Sequence, residues 1–203
     1  MYKHILTFAC LCMAILFFVS CADRTNKEEQ LRKHDVVVEN ILNRKSVREY
    51  KDQKVEKDKI DLMLRAGMAA PSGKDIRPWE FIVVNDRATL DSLAAGLPYA
   101  KMLPHTHQAI IVCGDSARSF YWYLDCSAAT QNILLTAESL GLGAVWTAAY
   151  PYDDRMDVVR RHIGLPENIL PLCVIPFGYP AKPNNPKDKY DETRIHYNSY
   201  QAK

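Results

Sequence analysis

The stretch Tyr123–Leu140 most limits the folds open to this chain. Leu124, Ala128, Ala129, Ile133, Leu134, Leu135, Ala137 and Leu140 recur through it with helical spacing, and little of the helix is left polar. A helix on a protein surface buries one stripe. One that is apolar nearly all round must be buried, either within the fold or between subunits. Gly141-Leu142-Gly143 stops it.

The remaining segments supply the partners such a helix needs. Asp35–Leu42 and Asp58–Met68 show helical spacing of apolar residues, and Ala69-Ala70-Pro71-Ser72-Gly73 breaks the second into a loop. Trp79–Val84 and Ala109–Cys113 predict buried strands; the second is continuously apolar, which suits a sheet covered on both faces. Thr89–Leu97 predicts a short helix and Lys101–His107 a polar connection. Ala144–Tyr150 predicts a third strand and Leu170–Phe177 a fourth, with a helix over Asp153–Ile163 between them, ended by Gly164 and Pro166. Gly178-Tyr179-Pro180 opens an extended tail. No internal repeat or second domain boundary is visible, and 203 residues suffice for one substantial core. The fold class is α+β: a central sheet of four or five strands wrapped by helices.

Residues 1–21 stand apart from that globule. Lys3 and His4 precede an apolar run from Ile5 to Val19, which reads as a secretory signal and is short for a membrane-spanning helix. Phe18-Val19-Ser20-Cys21 resembles a bacterial lipobox, which predicts lipidation at Cys21, a signal segment over 1–21, a polar tether over 22–34 and a globular domain over 35–203. That places the protein in the bacterial cell envelope, membrane-bound only through its lipid anchor. An uncleaved N-terminal anchor is the alternative reading.

Cys10, Cys12 and Cys21 fall in the leader, so Cys113, Cys126 and Cys173 remain, an odd set at wide spacing without a Cys-x-x-Cys pair. Neither a zinc site nor a dithiol motif is supported. His105 and His107 sit two apart with no further ligands evident. A formal net charge of +2 gives no reason to expect nucleic acid.

Arg44-Lys45-Ser46-Val47-Arg48-Glu49-Tyr50 carries the chemistry. In an extended or turning segment Arg44, Ser46 and Arg48 point the same way, and two guanidinium forks with a hydroxyl suit a phosphate or another oxyanion. The same motif also serves as a solvated surface turn. Downstream come Ala70-Pro71-Ser72-Gly73-Lys74-Asp75-Ile76-Arg77-Pro78-Trp79, Gln131-Asn132-Ile133-Leu134-Leu135-Thr136-Ala137, Gly141-Leu142-Gly143-Ala144-Val145-Trp146 and Gly178-Tyr179-Pro180.

In this order the set resembles the nitroreductase family of FMN-dependent, NAD(P)H-oxidising flavoenzymes, from about Val36 to Tyr200. The resemblance implies an intertwined homodimer with two FMN sites at the subunit interface. It implies that Arg44, Lys45 and Ser46 serve the phosphate and ribityl end, with Lys187 and Lys189 as a basic pair there. Arg48 matches the basic residue near the pyrimidine side of the ring. Pro71, Ser72, Gly73 and Asp75 match the loop that the partner subunit lays against the flavin, and Trp146, Thr147 and Ala148 the strand end along the ring. Two positions depart from the family: Asp75 stands where Asn is usual, and Arg77 where Gln is frequent. An acid there disfavours an electron-rich ring unless Arg77 neutralises it.

The implied activity passes a hydride from NAD(P)H through the flavin to a nitroaromatic, quinone or similar acceptor in a ping-pong cycle. No side chain in the motifs supplies a general base or nucleophile; the flavin carries the chemistry and Arg48 tunes it. Two alternatives stand beside it. One is another reaction on the scaffold, such as flavin fragmentation or reductive dehalogenation, although Gly73–Tyr150 holds no long lid insertion. The other is a lipid-tethered flavin-binding protein with a non-nicotinamide donor. No Gly-rich fingerprint is present to separate NADH from NADPH.

Overall fold

The computed structural model describes residues 32–201. The signal segment, Cys21 and the tether up to residue 31 lie outside the described residues. The chain divides after Leu42 into two compact units. The first contributes all but the last residue of helix α1 (32–43), which takes in the expected Asp35–Leu42 helix and the last residues of the expected tether.

The second unit is built on an antiparallel sheet. Strand β1 (Trp79–Val84) pairs with β2 (Gln108–Asp115), and β2 pairs with β5 (Ile169–Gly178). Two very short strands, β3 (Gly143–Ala144) and β4 (Thr147–Ala148), both pair with β5. Because strand side chains alternate, β2 feeds two cores at once. Ile110 and Val112 join a cluster with Ile60 and Met63 of α2 (Lys57–Met68) and with Cys126, Ala129 and Ile133 of α4 (Trp122–Ser139). Ala109, Ile111 and Cys113 join a second cluster with Leu90 and Leu93 of α3 (Arg87–Gly96) and with Val158 and Val159 of α5 (Asp153–Ile163). Full burial of each Ile or Val contributes about 1.5–3 kcal/mol. The continuous apolar run therefore reflects a sheet covered on both sides.

Local chemistry sets the helix ends. The Asp86 carboxylate accepts from the Thr89 N–H (2.8 Å) and hydroxyl (2.7 Å), which caps α3 and holds the carboxyl below its usual range. α5 ends at Gly164, whose φ of 72° lies in the left-handed region that suits glycine. α2 and α4 approach closely: a Cβ on Gly67 would lie 3.1 Å from Ile133 Cδ1.

One expectation needs correction. Ala144–Tyr150 does not form one strand. β3 and β4 share a register on β5, with Ala144 opposite Phe177 and Thr147 opposite Val174, so Val145 and Trp146 face Pro176 and Ile175. Val145 N–H donates to the Pro176 carbonyl (3.2 Å), but Pro176 has no N–H to return and the ladder opens there. A second proline, Pro171, sits at a bulge: Val112 pairs with Cys173 and Cys113 with Pro171, leaving Leu172 extra. The Leu172 carbonyl instead accepts from the N–H groups of Ala149 (3.0 Å) and Tyr150 (3.1 Å). The expected polar connection Lys101–His107 is also partly core, with Met102, Leu103 and Thr106 buried and a short helical turn at Leu103–His105.

Candidate functional site

The segment Arg44–Lys51 runs along the sheet and is pinned at three points. Ser46 bridges Ala144 in parallel, and Val47 N–H donates to Ala144 O (3.0 Å). Lys51 N–H donates to Tyr179 O (2.8 Å), and Ala181 N–H donates to Glu49 O (3.0 Å). The contact requires glycine on the sheet side, since a Cβ on Gly143 would fall 2.6 Å from Val47 Cβ. Inside the turn, the buried Tyr50 hydroxyl lies 2.6 Å from Val47 O and 3.0 Å from Pro176 O. Burial pushes this phenol far above its ordinary range, so it stays protonated and donates to those carbonyls.

This frame shapes a cavity of about 370 Å³ lined by Arg44, Lys45, Ser46 and Arg48 from the turn and by Asn184, Asn185, Lys187 and Lys189 from the tail. Asn184 Nδ2 donates to Ser46 O (3.1 Å), which ties the tail to the turn. The Lys45 ammonium is committed elsewhere: it donates to Glu138 Oε1 (2.7 Å) at the end of α4 and to Asn43 O (3.3 Å). Arg44, Arg48, Lys187 and Lys189 then supply four further cations around one space, with amide donors beside them. Such a donor set fits a phosphate-bearing ligand such as FMN. The sequence alone does not mark Asn184, Asn185 or Glu138 as site residues. The only signal was two consecutive amides before Pro186 in a lysine-rich tail.

The loop after α2 is a second construction. Asp125, buried in the first turn of α4, accepts from the Ser72 hydroxyl (2.7 Å) and from Gly73 N–H (3.1 and 3.2 Å). Ser72 Oγ accepts in turn from Arg77 N–H (2.8 Å). Lys74, Asp75 and Arg77 hold left-handed φ values of 55°, 56° and 53°. Arg77 grips Asp75 in a fork, Nε to Oδ1 at 2.6 Å and Nη2 to Oδ2 at 2.5 Å. The hydrogen bonds from Arg77 hold the Asp75 carboxyl below its usual range and raise the guanidinium.

The turn and the tail basic pair thus converge on one cavity. Pro71, Ser72, Gly73 and Asp75 lie outside its lining, as do Trp146, Thr147 and Ala148. Trp146 packs half-buried against the core cluster that includes residues of α2 and α4, and Ala148 is half-buried in β4. The Thr147 hydroxyl donates to Val174 O (2.7 Å), so the sheet uses it. Trp122 is buried and packs edge-on to Tyr150 (4.9 Å), which stacks with Tyr123 (5.5 Å). His107 pairs with Asp52 (2.6 Å). Cys113, Cys126 and Cys173 are free, buried thiols; burial pushes Cys126 and Cys173 up to about 12, far from a reactive thiolate at neutral pH.

Fold and cavity together define an α+β domain with a cationic pocket assembled by an N-terminal turn and a C-terminal tail. The chain belongs to the nitroreductase family, whose model matches residues 41–114 and 95–179. A protein of Methanothermobacter thermautotrophicus, provisionally named an NADH dehydrogenase/NAD(P)H nitroreductase, is 47% identical over 163 residues, covering 79% of this chain and 85% of that one. A crystal structure of a protein so named from Bacteroides thetaiotaomicron is 75% identical with a TM-score of 0.81, covering 81% of this chain and 98% of that one. An FMN-dependent nitroreductase from Clostridium difficile is 30% identical with a TM-score of 0.76, covering 79% and 98%.

Proposed function

We propose that the protein is an FMN-dependent NAD(P)H oxidoreductase that passes a hydride to a nitroaromatic, quinone or similar acceptor in a ping-pong cycle. The observation that carries this reading is the convergence of Arg44, Ser46, Arg48, Lys187 and Lys189 on one cavity. Arg44, Lys187 and Lys189 would neutralise the phosphate dianion, and the Ser46 hydroxyl would donate to it. Lys45, held by Glu138, keeps the turn in register with the end of α4. Arg48 offers a cation to the ring's pyrimidine side. When bound, FMN supplies two-electron redox chemistry; the chain supplies placement and electrostatics.

The protein acts as a homodimer in this reading. Met68 and Leu124 are 55% and 52% exposed in one subunit, and Tyr190, Tyr197 and Tyr200 of the tail are also exposed. A second copy is what would cover these positions. In the same reading the lipobox-like leader would tether the dimer to an envelope membrane through Cys21.

Mixing purified protein with FMN and NADH or NADPH and following flavin absorbance tests the reading. Bleaching, followed by recovery when a quinone is added, is the expected result. FMN binding without bleaching by either nucleotide would instead favour a flavin-binding protein served by another donor.

A further inference from the structure

The loop Ser72–Arg77 is held in an unfavourable shape by a residue that contributes nothing to the phosphate cavity. Three of its non-glycine residues are left-handed, a conformation that costs free energy and persists only when neighbours impose it. The imposing group is Asp125. Both of its oxygens are used, by the Ser72 hydroxyl and by Gly73 N–H, and the Ser72 oxygen passes the connection on to Arg77 N–H at the far end of the loop. One carboxylate therefore closes the loop from both ends. Its own place is fixed by burial in the first turn of α4, where the helix dipole favours a negative charge. Tyr121 backs the loop: a Cβ on Gly73 would lie 3.3 Å from Tyr121 Cδ2, so the chain there packs against the ring. At the tip, the Asp75–Arg77 fork fixes the direction of both charged groups.

We infer that Asp125 is a positioning residue for the reaction: through Ser72 it holds loop 72–77 in the strained form that presents the Asp75–Arg77 fork to the flavin site. This rests on the homodimer reading given above, together with the resemblance's implication that the loop, which lies outside this subunit's own cavity lining, is laid against the flavin of the partner subunit. Asp125 touches no reacting atom in that scheme. It acts through the loop, so its loss is felt in turnover of the acceptor and not in the affinity set at the phosphate end.

The test uses Asp125→Asn, Ser72→Ala and the double variant of the full chain. Asn keeps the volume of Asp, but its amide nitrogen cannot accept a hydrogen bond. The first readout needs no flavin. Trypsin can cut the loop after Lys74, whereas Arg77 is followed by Pro78, a poor site. Cleavage after Lys74 should speed up at least about fivefold in each single variant, with the double variant no faster than the faster single, because both changes break one connection. The second readout is the FMN-loaded enzyme: kcat/KM for a quinone should fall about tenfold in each single variant, while in Asp125→Asn, a residue outside the flavin-binding set, the FMN Kd changes less than about twofold. Unchanged cleavage, or faster cleavage with unchanged kcat/KM, would overturn the inference. Should Asp125→Asn fail to fold by near-UV circular dichroism, Ser72→Ala decides alone by cleavage after Lys74 and by kcat/KM. A wild-type protein that binds no FMN would overturn the flavin reading itself and the positioning role with it, even if cleavage after Lys74 still rose in the variants.

Discussion

Lys45 Nζ lies 2.7 Å from Glu138 Oε1, with only 22% and 17% of the two side chains exposed. The pair joins the Arg44–Lys51 turn to the last turn of α4. If the cavity takes a phosphate as proposed, a carboxylate beside it is tolerable only while a cation holds it. Lys45→Ala should therefore lower stability by about 1–3 kcal/mol, because Glu138 is left partly buried and unpaired. It should also weaken FMN binding, although Lys45 itself is not free to contact the phosphate. Urea denaturation and FMN titration measure both. Lys45→Ala with Glu138→Gln should recover most of each loss.

Arg44 and Arg48 should separate by readout. Arg44→Ala removes a charge-assisted contact worth about 1.5–3 kcal/mol, so FMN binding should weaken about tenfold to a hundredfold while riboflavin binding barely changes. Arg48→Ala should cost less affinity and instead lower the two-electron midpoint potential by about 30–60 mV, since a cation beside the pyrimidine edge favours the reduced flavin. Titration of each variant against a reference dye distinguishes them; equal effects on affinity and potential would mean that the two side chains share one role.

Gly143→Ala should damage the site through the backbone. The new methyl group would fall within 2.6 Å of Val47 Cβ and Cγ1 and push the turn from its bridge to Ala144. Overpacking of this kind costs about 1–3 kcal/mol. For a chain of this length that lowers Tm by about 2–4 °C per kcal/mol, measurable by calorimetry. FMN affinity should fall with it, because Ser46 and Arg48 move together with Val47.

The Asp75–Arg77 fork gives a pH prediction. Hydrogen bonding by Arg77 lowers the folded-state pKa of Asp75 below its unfolded value of about 3.9. The contribution of the pair to loop order is therefore fully present above that value and is lost as pH falls through the lowered folded pKa. The fork should stay intact from neutral pH down into the acid range. Arg77→Gln should move the Asp75 titration back up toward the ordinary value, as followed by carboxyl-carbon NMR. An Asp75 that titrates identically in both proteins would show that the fork is not formed in solution.

Much of this organisation was legible in the chain, and the exceptions share a cause. Trp79–Val84 and Asp153–Ile163 match their expected bounds because local pattern decides them: an apolar run in one case, and acidic start, basic end and terminal glycine in the other. Arg44, Ser46 and Arg48 were readable from their alternate spacing. What escaped depends on residues distant in sequence. The gap between β3 and β4 is written in Pro176, on the partner strand. Glu138 reads as one solvated charge at a helix end until Lys45, 93 positions earlier, folds against it. Asp125 likewise looks incidental on an apolar helix, and its purpose appears only when Ser72 and Gly73 reach it.

The two prolines of β5 have a consequence for the chain before it folds. Ile169–Gly178 is ten residues, nearly all apolar and uncharged, the composition of a segment prone to stack edge to edge with copies of itself. In the native sheet Pro171 sits at the bulge, and Pro176 keeps its pairing with Ala109 of β2 while opening the other ladder between β3 and β4. In a fibril-like stack of identical strands the same two positions would each lack a donor in every layer. They thus act as gatekeepers against self-association while leaving the native pairing with β2 in place.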